Sequence, residues 1–500
     1  MAPSPFPIPP HISALITIIC IIIANPWPHT TAYSFGNRLH NDTNSVTIAS
    51  NDYGNIVHET PTSVLDPRSI DDIIRLTRTS SNTTIAARGH GHSVRGQAMA
   101  RNGVVVNMTA LMKQNRIIIV KSGYVDVGGG TLWMDVLRAT LRYGMAPVSW
   151  TDYLYLTVGG TLSNAGISGQ TFLHGPQITN VFQLDVVTGK GELITCSPDK
   201  NSELFLGVLG GLGQFGIITK ARIALDKAPT RVKWARLIYS NFATFTRDQE
   251  HLISTKASSY VEGFLIVNES TTDQWRPSFS VSQSDQLRIY SLLTNQSILY
   301  SIEVAKYYDN HSAATIDEEF GKLLEELNFI KGLNFSTDVS FFDFIHRVGN
   351  LDTPKMGSLL SHPWLNLFIP KSRIFEFNKL VLAGMLPRLS HTSGLFIFYP
   401  LNKNKWNDAM SAVTSDEDVF YTLGLLHSST PGEYKSFDDF NDQVLSVCEN
   451  AGISVKQYLP NHKTESAWIN HFGSKWNAFV ARKKMFDPKK RLSPGQGIFN

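Results

Sequence analysis

The sequence predicts an α+β protein with two domains. The chain has 500 residues, of which 42% are hydrophobic and 17% charged, which is enough for about two globular cores. Up to about residue 230, short apolar runs of strand length alternate with helical patterns and glycine-rich turns. Beyond that point the runs lengthen and alternate apolar with polar residues, which indicates a larger sheet. We therefore expect an α+β domain over residues 52–230, a sheet-and-helix domain over 231–457, and a segment, 458–500, that returns to the first domain.

The first 51 residues contain features of a secretory signal. Residues 12–24 form an apolar run of thirteen, which is too short to span a bilayer comfortably. Cleavage after Ala24 or Ala32 would remove a signal peptide, taken here as residues 1–32. No Lys or Arg precedes the run, so an uncleaved anchor is the alternative. The polar residues 33–51 are expected to form a mobile leader.

Asparagine sequons and cysteines agree with passage through the secretory pathway. Asn-x-Ser/Thr sequons, which we expect to be glycosylated and to lie in surface loops, occur at Asn41, Asn82, Asn107, Asn268, Asn295, Asn310 and Asn334. Cys20 lies in the signal, which leaves only Cys196 and Cys448. Two thiols cannot make a disulfide framework, so we expect both to be free and partly buried, with a pair as the alternative.

The charge balance gives no indication of a nucleic acid or a membrane surface as partner. The net charge is +3 over the whole chain, which is nearly neutral for this length. Two short basic runs near the C-terminus, Arg482-Lys483-Lys484 and Lys489-Lys490-Arg491, are predicted to be solvent-exposed faces.

The first domain is predicted to begin with a helix. Ser69 is a suitable N-cap, and Ile70, Ile73, Ile74 and Thr77 make the inner face of this helix. A second helix over 132–143 carries an apolar stripe, and a short helix with a glycine-rich turn lies within 152–168. A further helix starts at Leu204. Strands are predicted over 83–87, 104–108, 117–120, 124–127, 181–187, 192–195 and 217–221.

The second domain is predicted to combine long strands with helices. Strands are predicted over 232–239, 260–267, 296–307 and 395–400, and helices over 242–254 and 315–327. The Ser-, Thr- and Asn-rich stretch 268–286 is expected to be an exposed excursion. In the terminal segment one helix is predicted over 466–486, and Asp487-Pro488 ends it.

One stretch, residues 86–97, has the composition of a cofactor-binding loop, and we call it the histidine loop. It reads Ala86-Ala87-Arg88-Gly89-His90-Gly91-His92-Ser93-Val94-Arg95-Gly96-Gln97. Its glycines permit positive φ and a close approach of backbone N–H groups to a pyrophosphate. Its spacing fits neither the G-x-G-x-x-G fingerprint nor a P-loop. A histidine here could bond covalently to a flavin methyl group; the alternative is a turn with two surface histidines.

Four further stretches, together with Gly91-His92-Ser93, resemble the cytokinin dehydrogenase family. The longest runs from Trp150 to Gly166 and contains Trp150-Thr151-Asp152-Tyr153 and Thr157-Val158-Gly159-Gly160. The others are Tyr260-Val261-Glu262-Gly263, His362-Pro363-Trp364-Leu365-Asn366 and Leu492-Ser493-Pro494-Gly495-Gln496. The resemblance extends over nearly all of residues 52–500. It implies a flavoprotein of the vanillyl-alcohol-oxidase (PCMH) type, with an FAD-binding module of two α+β subdomains and a substrate-binding cap.

The resemblance also implies an activity. Such enzymes oxidise the N6 side-chain secondary amine of isopentenyladenine-type cytokinins to an imine, which water splits into adenine and an aldehyde. Quinone-like acceptors or oxygen would take the electrons. We expect a monomer that binds no metal, secreted to the apoplast, with the vacuole as the alternative location.

Site residues are carried over position by position. His92 would carry the covalent FAD, and the resemblance implies cofactor contacts from Ala87, Gly89, His90, Gly91, Ser93, Gln97, Asp152, Thr157, Ser163, Ile167, Ile218, Tyr458, Ser493 and Gln496. Asp152 is the candidate base: its aromatic neighbours favour burial, which raises the pKa of a carboxyl group. A carboxylate that merely caps a turn is the alternative.

Glu262 is the second candidate carboxylate. Taken by itself, an acid in an alternating strand is either exposed or directed into a cavity; the resemblance implies that Glu262 contacts the purine at the mouth of the substrate channel. Trp364 and Asn366 would shape the substrate cavity, although an aromatic there is more often part of a core.

Two other functions remain open at this point. Another secreted flavin oxidase on the same module would act on sugars or alkaloids, but berberine-bridge-type enzymes commonly carry a second flavin link through a cysteine, and residues 147–168 contain none. A non-catalytic cytokinin-binding flavoprotein is the second alternative, which the presence of His92, Asp152 and Glu262 disfavours.

Overall fold

The computed structural model describes residues 35–79, 82–114, 117–267, 279–349, 360–389 and 394–499. The chain divides into two compact units, Met1–Leu39 and His40–Asn500. In the first, the described residues contain a 3-10 turn, Gly36–Arg38. The predicted signal and the sequon at Asn268 lie outside the described residues. No helix among the residues described is both long enough and apolar enough to cross a bilayer.

Strands in the described residues are numbered in chain order. They are β1 (Leu39–His40), β2 (Ser63–Leu65), β3 (Ile85–Arg88), β4 (Val104–Asn107), β5 (Ile118–Lys121), β6 (Tyr124–Gly128), β7 (Met145–Pro147), β8 (Val181–Thr188), β9 (Leu193–Cys196), β10 (Gly216–Lys227), β11 (Arg231–Tyr239), β12 (Tyr260–Ile266), β13 (Leu299–Tyr308), β14 (Asn334–Ser340), β15 (Leu365–Pro370), β16 (Gly394–Asn402), β17 (Val419–His427) and β18 (Lys456–Gln457).

The α-helices of the described residues are numbered in the same way. They are α1 (Thr43–Ala49), α2 (Ile70–Thr79), α3 (Met108–Gln114), α4 (Trp133–Leu141), α5 (Val158–Leu162), α6 (Thr171–His174), α7 (Ser202–Val208), α8 (Phe242–Thr255), α9 (Gln283–Gln296), α10 (Ile316–Glu325), α11 (Phe341–Ile345), α12 (Ile374–Phe377), α13 (Tyr434–Asn450), α14 (Glu465–Phe472) and α15 (Trp476–Phe486).

The strands of the described residues form three sheets. In the first, β4 lies between β2 and β3 and pairs in parallel with both. The second is antiparallel with the order β5-β6-β10-β8-β9, and β7 also pairs with β10. The third follows the order β14-β11-β13-β12-β16-β17-β15-β18 and contains the strands from residue 231 to 457. The α+β class is therefore confirmed, while the domain boundaries stay predictions.

Both faces of the third sheet are covered at its central strands, such as β12, whereas its edge strand β14 is partly exposed. On one face, Trp234 and Tyr260 join a core shared with the second sheet, which includes Trp133 and Phe215. On the other face, residues such as Val261 pack in a separate core with helices α8, α12 and α13. Burying one large apolar side chain stabilises a fold by about 1.5–3 kcal/mol. Because neither face of a central strand such as β12 is solvated, alternation along it does not place polar residues in water.

Several elements differ from the prediction. The expected mobile leader contains helix α1, because Asp42 caps it by accepting a hydrogen bond from the Ser45 amide at 3.0 Å. The stretch expected to be an excursion and then a strand includes helix α9, capped in the same way by Ser282. The predicted helix 466–486 is two helices, α14 and α15, separated at Gly473, whose φ is +52°. Elements that the sequence analysis did not predict include α3, β14, β15, β17 and α13.

The basic runs near the C-terminus are not uniformly exposed. Lys483 and Arg491 are buried, with 2% and 5% of their surfaces accessible. Arg491 donates to the carbonyls of Thr77 and Gly189, both at 2.7 Å. The prediction of two solvated faces was therefore wrong at these positions, because each cation has buried oxygen partners.

The sequons and cysteines can also be located. Asn41, Asn82, Asn295, Asn310 and Asn334 are exposed. Asn107 is half-buried at the end of β4. Its side-chain amide donates to Asp66 and accepts from Thr109. The surface loop that was expected at this sequon is therefore absent. Cys196 and Cys448 are free and buried, as expected, and burial raises the pKa of each thiol to about 12.

Candidate active site

A cavity of about 330 Å³ lies where the histidine loop, the third sheet and the C-terminal segment meet. Ligand pockets in proteins typically have roughly 300–1,000 Å³. Every predicted cofactor residue lines it: Ala87, Gly89, His90, Gly91, His92, Ser93, Gln97, Asp152, Thr157, Ser163, Ile167, Ile218, Tyr458, Ser493 and Gln496. Trp364 and Asn366 line it as well, whereas Glu262 does not. Residues from distant parts of the sequence thus line one cavity.

The histidine loop follows directly from strand β3. Gly91 and Gly96 adopt φ of +72° and +76°, which favour glycine. The turn at residues 52–54 fixes the loop: the amides of Tyr53 and Gly54 donate to the carbonyls of Gly91 and Ser93, at 2.9 and 3.0 Å. A Cβ on Gly89 would approach Thr157 Oγ1 to 2.1 Å, so the loop packs against the residue before helix α5.

Asp52 holds the loop from beneath, a role that the sequence analysis did not assign. Its Oδ2 accepts from Ser93 Oγ at 2.9 Å and from the Gly96 amide at 2.7 Å. Burial raises the pKa of Asp52, although these bonds and the nearby Arg88 oppose the shift. Because its proton points to Asp52, the Ser93 hydroxyl meets a ligand only as an acceptor in this arrangement.

His92 lies in a stack of aromatic rings. Its ring centroid is 4.0 Å from that of Tyr53 and 4.5 Å from that of Tyr153, with interplanar angles of 23° and 21°. On its far side Tyr53 stacks on His362 at 4.0 Å. Burial, and secondarily His90 and His362, lower the pKa of His92 to about 3. The His92 imidazole is therefore neutral near pH 7, and the alternative of a turn with two surface histidines is wrong for this residue.

The C-terminal segment closes the cavity from the other side. The Ser493 amide donates to the Ile85 carbonyl at 2.9 Å, and Ser493 Oγ donates to the Gly213 carbonyl at 3.0 Å. A Cβ on Gly495 would approach the Gly96 carbonyl oxygen to 2.1 Å, so this segment packs directly against the histidine loop. Tyr458 stacks on Phe368 and accepts from the Gly166 amide through its hydroxyl.

The residues lining this cavity fit FAD. The close glycine packing leaves backbone able to approach an extended pyrophosphate, and the adjoining sheet face supplies apolar walls from Ile218, Ile397 and Leu426. Two buried polar atoms of lining residues, Gln496 Oε1 and Trp364 Nε1, have no hydrogen-bond partner among the described residues. Buried polar groups normally have partners, so these atoms fit a ligand with complementary polar groups.

Asp152 reaches the cavity, and its carboxylate is held by two residues that the sequence analysis missed. Oδ1 accepts from Arg347 Nη2 at 2.8 Å and from the Tyr260 hydroxyl at 3.1 Å. The side chain of Asp152 is 23% exposed, and that of Arg347 is 2% exposed. The sequence analysis predicted that burial would favour the protonated carboxyl group of Asp152. The cation of Arg347 opposes this effect, because it favours the ionised carboxylate. These bonds also disfavour the turn-capping alternative.

Glu262 lies behind Arg347 rather than at the cavity wall. It is fully buried in β12, and its Oε2 is 3.9 Å from Arg347 Nη2. The exposed alternative is wrong because both faces of the third sheet are covered. A contact between Glu262 and substrate stays a prediction.

The sheet beneath the cavity supplies further lining residues that no motif indicated. Thr422, Gly424 and Leu426 lie on one face of β17, and Ile397 and Tyr399 on the same side of β16. Alternation in these strands could have indicated a shared face, but not that this face bounds a cavity. Among the described residues, no group of three His, Cys, Asp or Glu side chains is placed to hold a metal ion.

Two protein families and several known proteins match this chain in sequence. The family described as "Cytokinin dehydrogenase 1, FAD and cytokinin binding" matches residues 229–499, and the family described as "FAD binding domain" matches residues 61–197. Cytokinin dehydrogenase 4 of Arabidopsis thaliana is 51% identical over 91% of this chain and 91% of its own length. Cytokinin dehydrogenase 3 of the same plant is 48% identical over 97% and 95%. Cytokinin dehydrogenase 5 of Oryza sativa subsp. japonica is 47% identical over 93% and 92%.

Proposed function

The chain belongs to the cytokinin dehydrogenase family, and from this premise we propose how its own residues carry out the reaction. It is an FAD-dependent oxidoreductase that converts the N6 side-chain secondary amine of isopentenyladenine-type cytokinins to an imine. Water then splits the imine into adenine and an aldehyde. Bound FAD supplies the hydride-accepting chemistry. The protein binds and orients the substrate and accepts its proton.

The observation that carries the mechanism is that the Asp152 carboxylate and the histidine loop line one cavity. We assign to Asp152 a hydrogen bond from the substrate N6–H. Accepting this proton as the C–H bond breaks at the neighbouring carbon makes nitrogen a better electron donor, which is general-base catalysis. Arg347 and Tyr260 contact the same carboxylate, and apolar residues around it exclude water from the reacting carbon.

FAD would be held by the residues that line the cavity. The histidine loop and Gly159-Gly160 in the first turn of α5 would approach the pyrophosphate, and Thr157, Ser163, Ile167 and Ile218 would line the flavin. Tyr458, Ser493 and Gln496 would cover it from the C-terminal segment. Gln97 accepts from the Arg95 amide at 2.8 Å through Oε1, so its NH₂ group is the end available to the cofactor.

We assign the covalent link to His92. Its neutral ring has an unprotonated nitrogen that can bond to the isoalloxazine methyl carbon. His92 would hold the cofactor through this bond, whose formation would release two protons and two electrons to oxygen. The aromatic stack around His92 supports the assignment because it fixes the plane of the ring.

For the substrate, Trp364 and Asn366 would shape the cavity wall, and Glu262 would set specificity for the purine. Glu262 does not line the cavity in the described structure, so this role requires either movement or action through Arg347.

The cellular context remains part of the proposal. Residues 1–32 would act as a signal peptide, and the five exposed sequons would carry glycans on a monomer secreted to the apoplast or retained in the vacuole. Quinone-like acceptors or oxygen would reoxidise the flavin.

The test is anaerobic reduction. The full chain is produced in a secreting eukaryotic host, its flavin spectrum is recorded, and isopentenyladenine is added without oxygen. Bleaching of the oxidised flavin band, with adenine as product, is expected. Bleaching by a sugar or an alkaloid instead would contradict the substrate class, and cytokinin binding without bleaching would identify a non-catalytic binding protein. The comparisons do not favour either alternative.

A further inference from the structure

Arg347 occupies a position in the candidate site that no sequence motif indicated. It lies two residues after helix α11, and its side chain is only 2% exposed. Nη2 donates to Asp152 Oδ1 at 2.8 Å and also bonds to the Tyr260 hydroxyl, while Nη1 donates to the Phe344 carbonyl at 3.1 Å. The guanidinium carbon lies 4.5 and 4.7 Å from the ring centroids of Phe344 and Tyr260. Arg347 is thus fixed by hydrogen bonds and by packing.

A row of buried charges extends from Arg347 across the third sheet. Glu262 on β12 lies 3.9 Å from Arg347, and its backbone neighbour on β13 is Glu303. Glu303 is in turn the register partner of Arg236 on β11, and the two side chains form an ion pair. Burial lowers the pKa of Arg347, but Tyr260, Asp152, Glu262 and Glu303 outweigh it and raise that pKa above its ordinary value. Arg347 is therefore a permanent cation.

We propose that Arg347 is a positioning residue that fixes the ionised carboxylate of Asp152 at the cavity wall, and that the buried charge row fixes Arg347. The inference rests on the proposed role of Asp152 as the group that accepts the substrate N6–H. Both bonds end on Oδ1, so they restrict the rotation of the carboxylate. A preorganised group needs no rearrangement as the reaction proceeds.

The surroundings of Asp152 determine what loss of Arg347 would do. Among the described residues, the titratable or charged groups around Asp152 include Arg347 and Tyr260, which contact it, and Glu262, which lies beside Arg347. Tyr307 on β13 and Tyr399 on β16 interact with Asp152 electrostatically. Burial, with secondary contributions from Asp152 and Glu262, raises the pKa values of both Tyr307 and Tyr399. These tyrosines are neutral near pH 7, and of this group only Arg347 contributes positive charge. Removing it leaves the ionised form of Asp152 without its cation.

The alternative is that Arg347 only neutralises the buried Glu262, which would be a structural role. Three variants separate the two. Arg347→Met keeps an apolar side chain against Phe344 and Tyr260, Arg347→Lys keeps a charge, and Arg347→Met combined with Glu262→Gln removes both members of the structural pair. Arg222→Met is a control, because Arg222 also forms a well-aligned pair, with Asp126 at 2.8 Å, but does not line the cavity.

The experiment measures the rate of anaerobic flavin reduction by isopentenyladenine against pH, on holoprotein whose flavin spectrum and unfolding midpoint are recorded. We expect Arg347→Met to slow reduction by about 10²-fold at saturating substrate. The acid limb of the pH–rate profile of this variant should move to higher pH by about one pH unit or more, since loss of the opposite charge disfavours the ionised carboxylate of Asp152. Arg347→Lys should recover part of the rate, and the double variant should recover stability but not rate. Arg222→Met should keep the wild-type profile.

Three results would each contradict either the proposed role of Asp152 or the inference about Arg347. If Asp152→Asn keeps the wild-type rate, the role proposed for Asp152 is wrong and the inference falls with it. If Asp152→Asn is inactive but Arg347→Met and Arg347→Lys keep the wild-type pH profile, the inference alone is overturned. Recovery of the full rate in the double variant would likewise assign Arg347 to the purely structural role. Should Arg347→Met not fold, the double variant and Arg347→Lys decide.

Discussion

His92 illustrates how residue-level packing prepares a reactive group. Tyr53 and Tyr153 cover the two faces of its ring, and burial keeps the ring neutral. A neutral imidazole retains a nitrogen lone pair, whereas the protonated ring has none to form a bond. The stack therefore both orients His92 and maintains the protonation state that covalent attachment requires.

The first prediction concerns this link. His92→Gln should bind flavin without attaching it, so acid precipitation should release yellow flavin into the supernatant. His90→Gln is the matched control, because His90 lies two residues earlier in the same loop and lines the same cavity. Its flavin should stay in the precipitated protein. Retention of flavin by His92→Gln and release by His90→Gln would reassign the link.

Candidate site residues could be predicted from the sequence where they belong to a recognisable local motif. The residues that the resemblance assigned to the cofactor line one cavity, and their contacts with FAD stay predictions. Arg347 could not be found in this way, and Tyr260, although it stands in one of the resembling stretches, was given no role. Arg347 lies 195 positions from Asp152 in the chain, and an arginine in an aromatic run has no local signature of its partner. For the same reason, reasoning from burial alone omitted the cation beside Asp152.

At the scale of elements, the third sheet forms one wall of the cavity. Gly424 lies in the interior of β17, opposite Asn366 on β15 and Ile397 on β16. A Cβ there would lie 3.3 Å from Asn366 Oδ1 and 3.6 Å from Ile397 Cβ, so one methyl group fits with a small adjustment. A glycine inside a strand often marks close approach of a ligand.

The second prediction follows from this geometry. Gly424→Ala should keep the fold and the flavin spectrum but narrow the cavity, so kcat/KM for cytokinins with bulky N6 substituents should fall by about 10-fold relative to small ones. Gly321→Ala is the control, since nothing lies within 4 Å of a Cβ at that helical position. An unchanged ratio across a series of N6 substituents in Gly424→Ala would exclude Gly424 as a determinant of substrate size.

Helix α15 shows why a run of basic residues is ambiguous in sequence. Lys483 is buried, and its ammonium group lies 2.9 Å from Asp487 Oδ2 and donates to Gln214 Oε1 at 2.8 Å and to the Leu492 carbonyl at 3.2 Å. Lys484, the next residue, is exposed. From composition alone, both lysines are expected to be exposed to solvent. The difference arises because α15 packs its Lys483 side against the loop before β10, which is distant in sequence.

The third prediction uses this pair of lysines. Lys483→Met should lower the free energy of unfolding by about 3–5 kcal/mol, because Asp487 would remain as an uncompensated buried charge. Urea unfolding monitored by flavin fluorescence measures the loss. Lys484→Met should be nearly neutral, and adding Asp487→Asn to Lys483→Met should restore part of the stability. Equal effects from the two lysine variants would show that the buried pair contributes nothing specific.

At the scale of the whole molecule, the class of the fold was predictable and much of its topology was not. The change from short to long strands near residue 230 marks the beginning of the third sheet at Arg231. The order β12-β16-β17-β15 depends on pairings between distant segments, and β15 and β17 are apolar runs without clear alternation. Short apolar runs of this kind do not distinguish a strand from a buried helix.

The buried histidines give the molecule a common response to acid. Burial lowers the pKa values of His427 and His462 to about 4. In the unfolded chain a histidine titrates near pH 6.5. Between these values the unfolded state binds protons that the native state does not. The free energy of unfolding therefore falls as the pH is lowered from about 6.5 toward 4.

The last prediction isolates one of these residues. His427 is fully buried among Phe396, Phe437 and Phe440, and neither ring nitrogen has a hydrogen-bond partner among the described residues. His427→Leu removes the titrating group while keeping an apolar side chain of similar size. Relative to this variant, the wild-type protein should lose about 2 kcal/mol more of its unfolding free energy between pH 7.5 and pH 5. Urea unfolding at the two pH values measures the difference, with the exposed His311→Gln as a control that should follow the wild type. Equal losses in His427→Leu and the wild type would mean that His427 is protonated in the native state, and that its aromatic enclosure admits water.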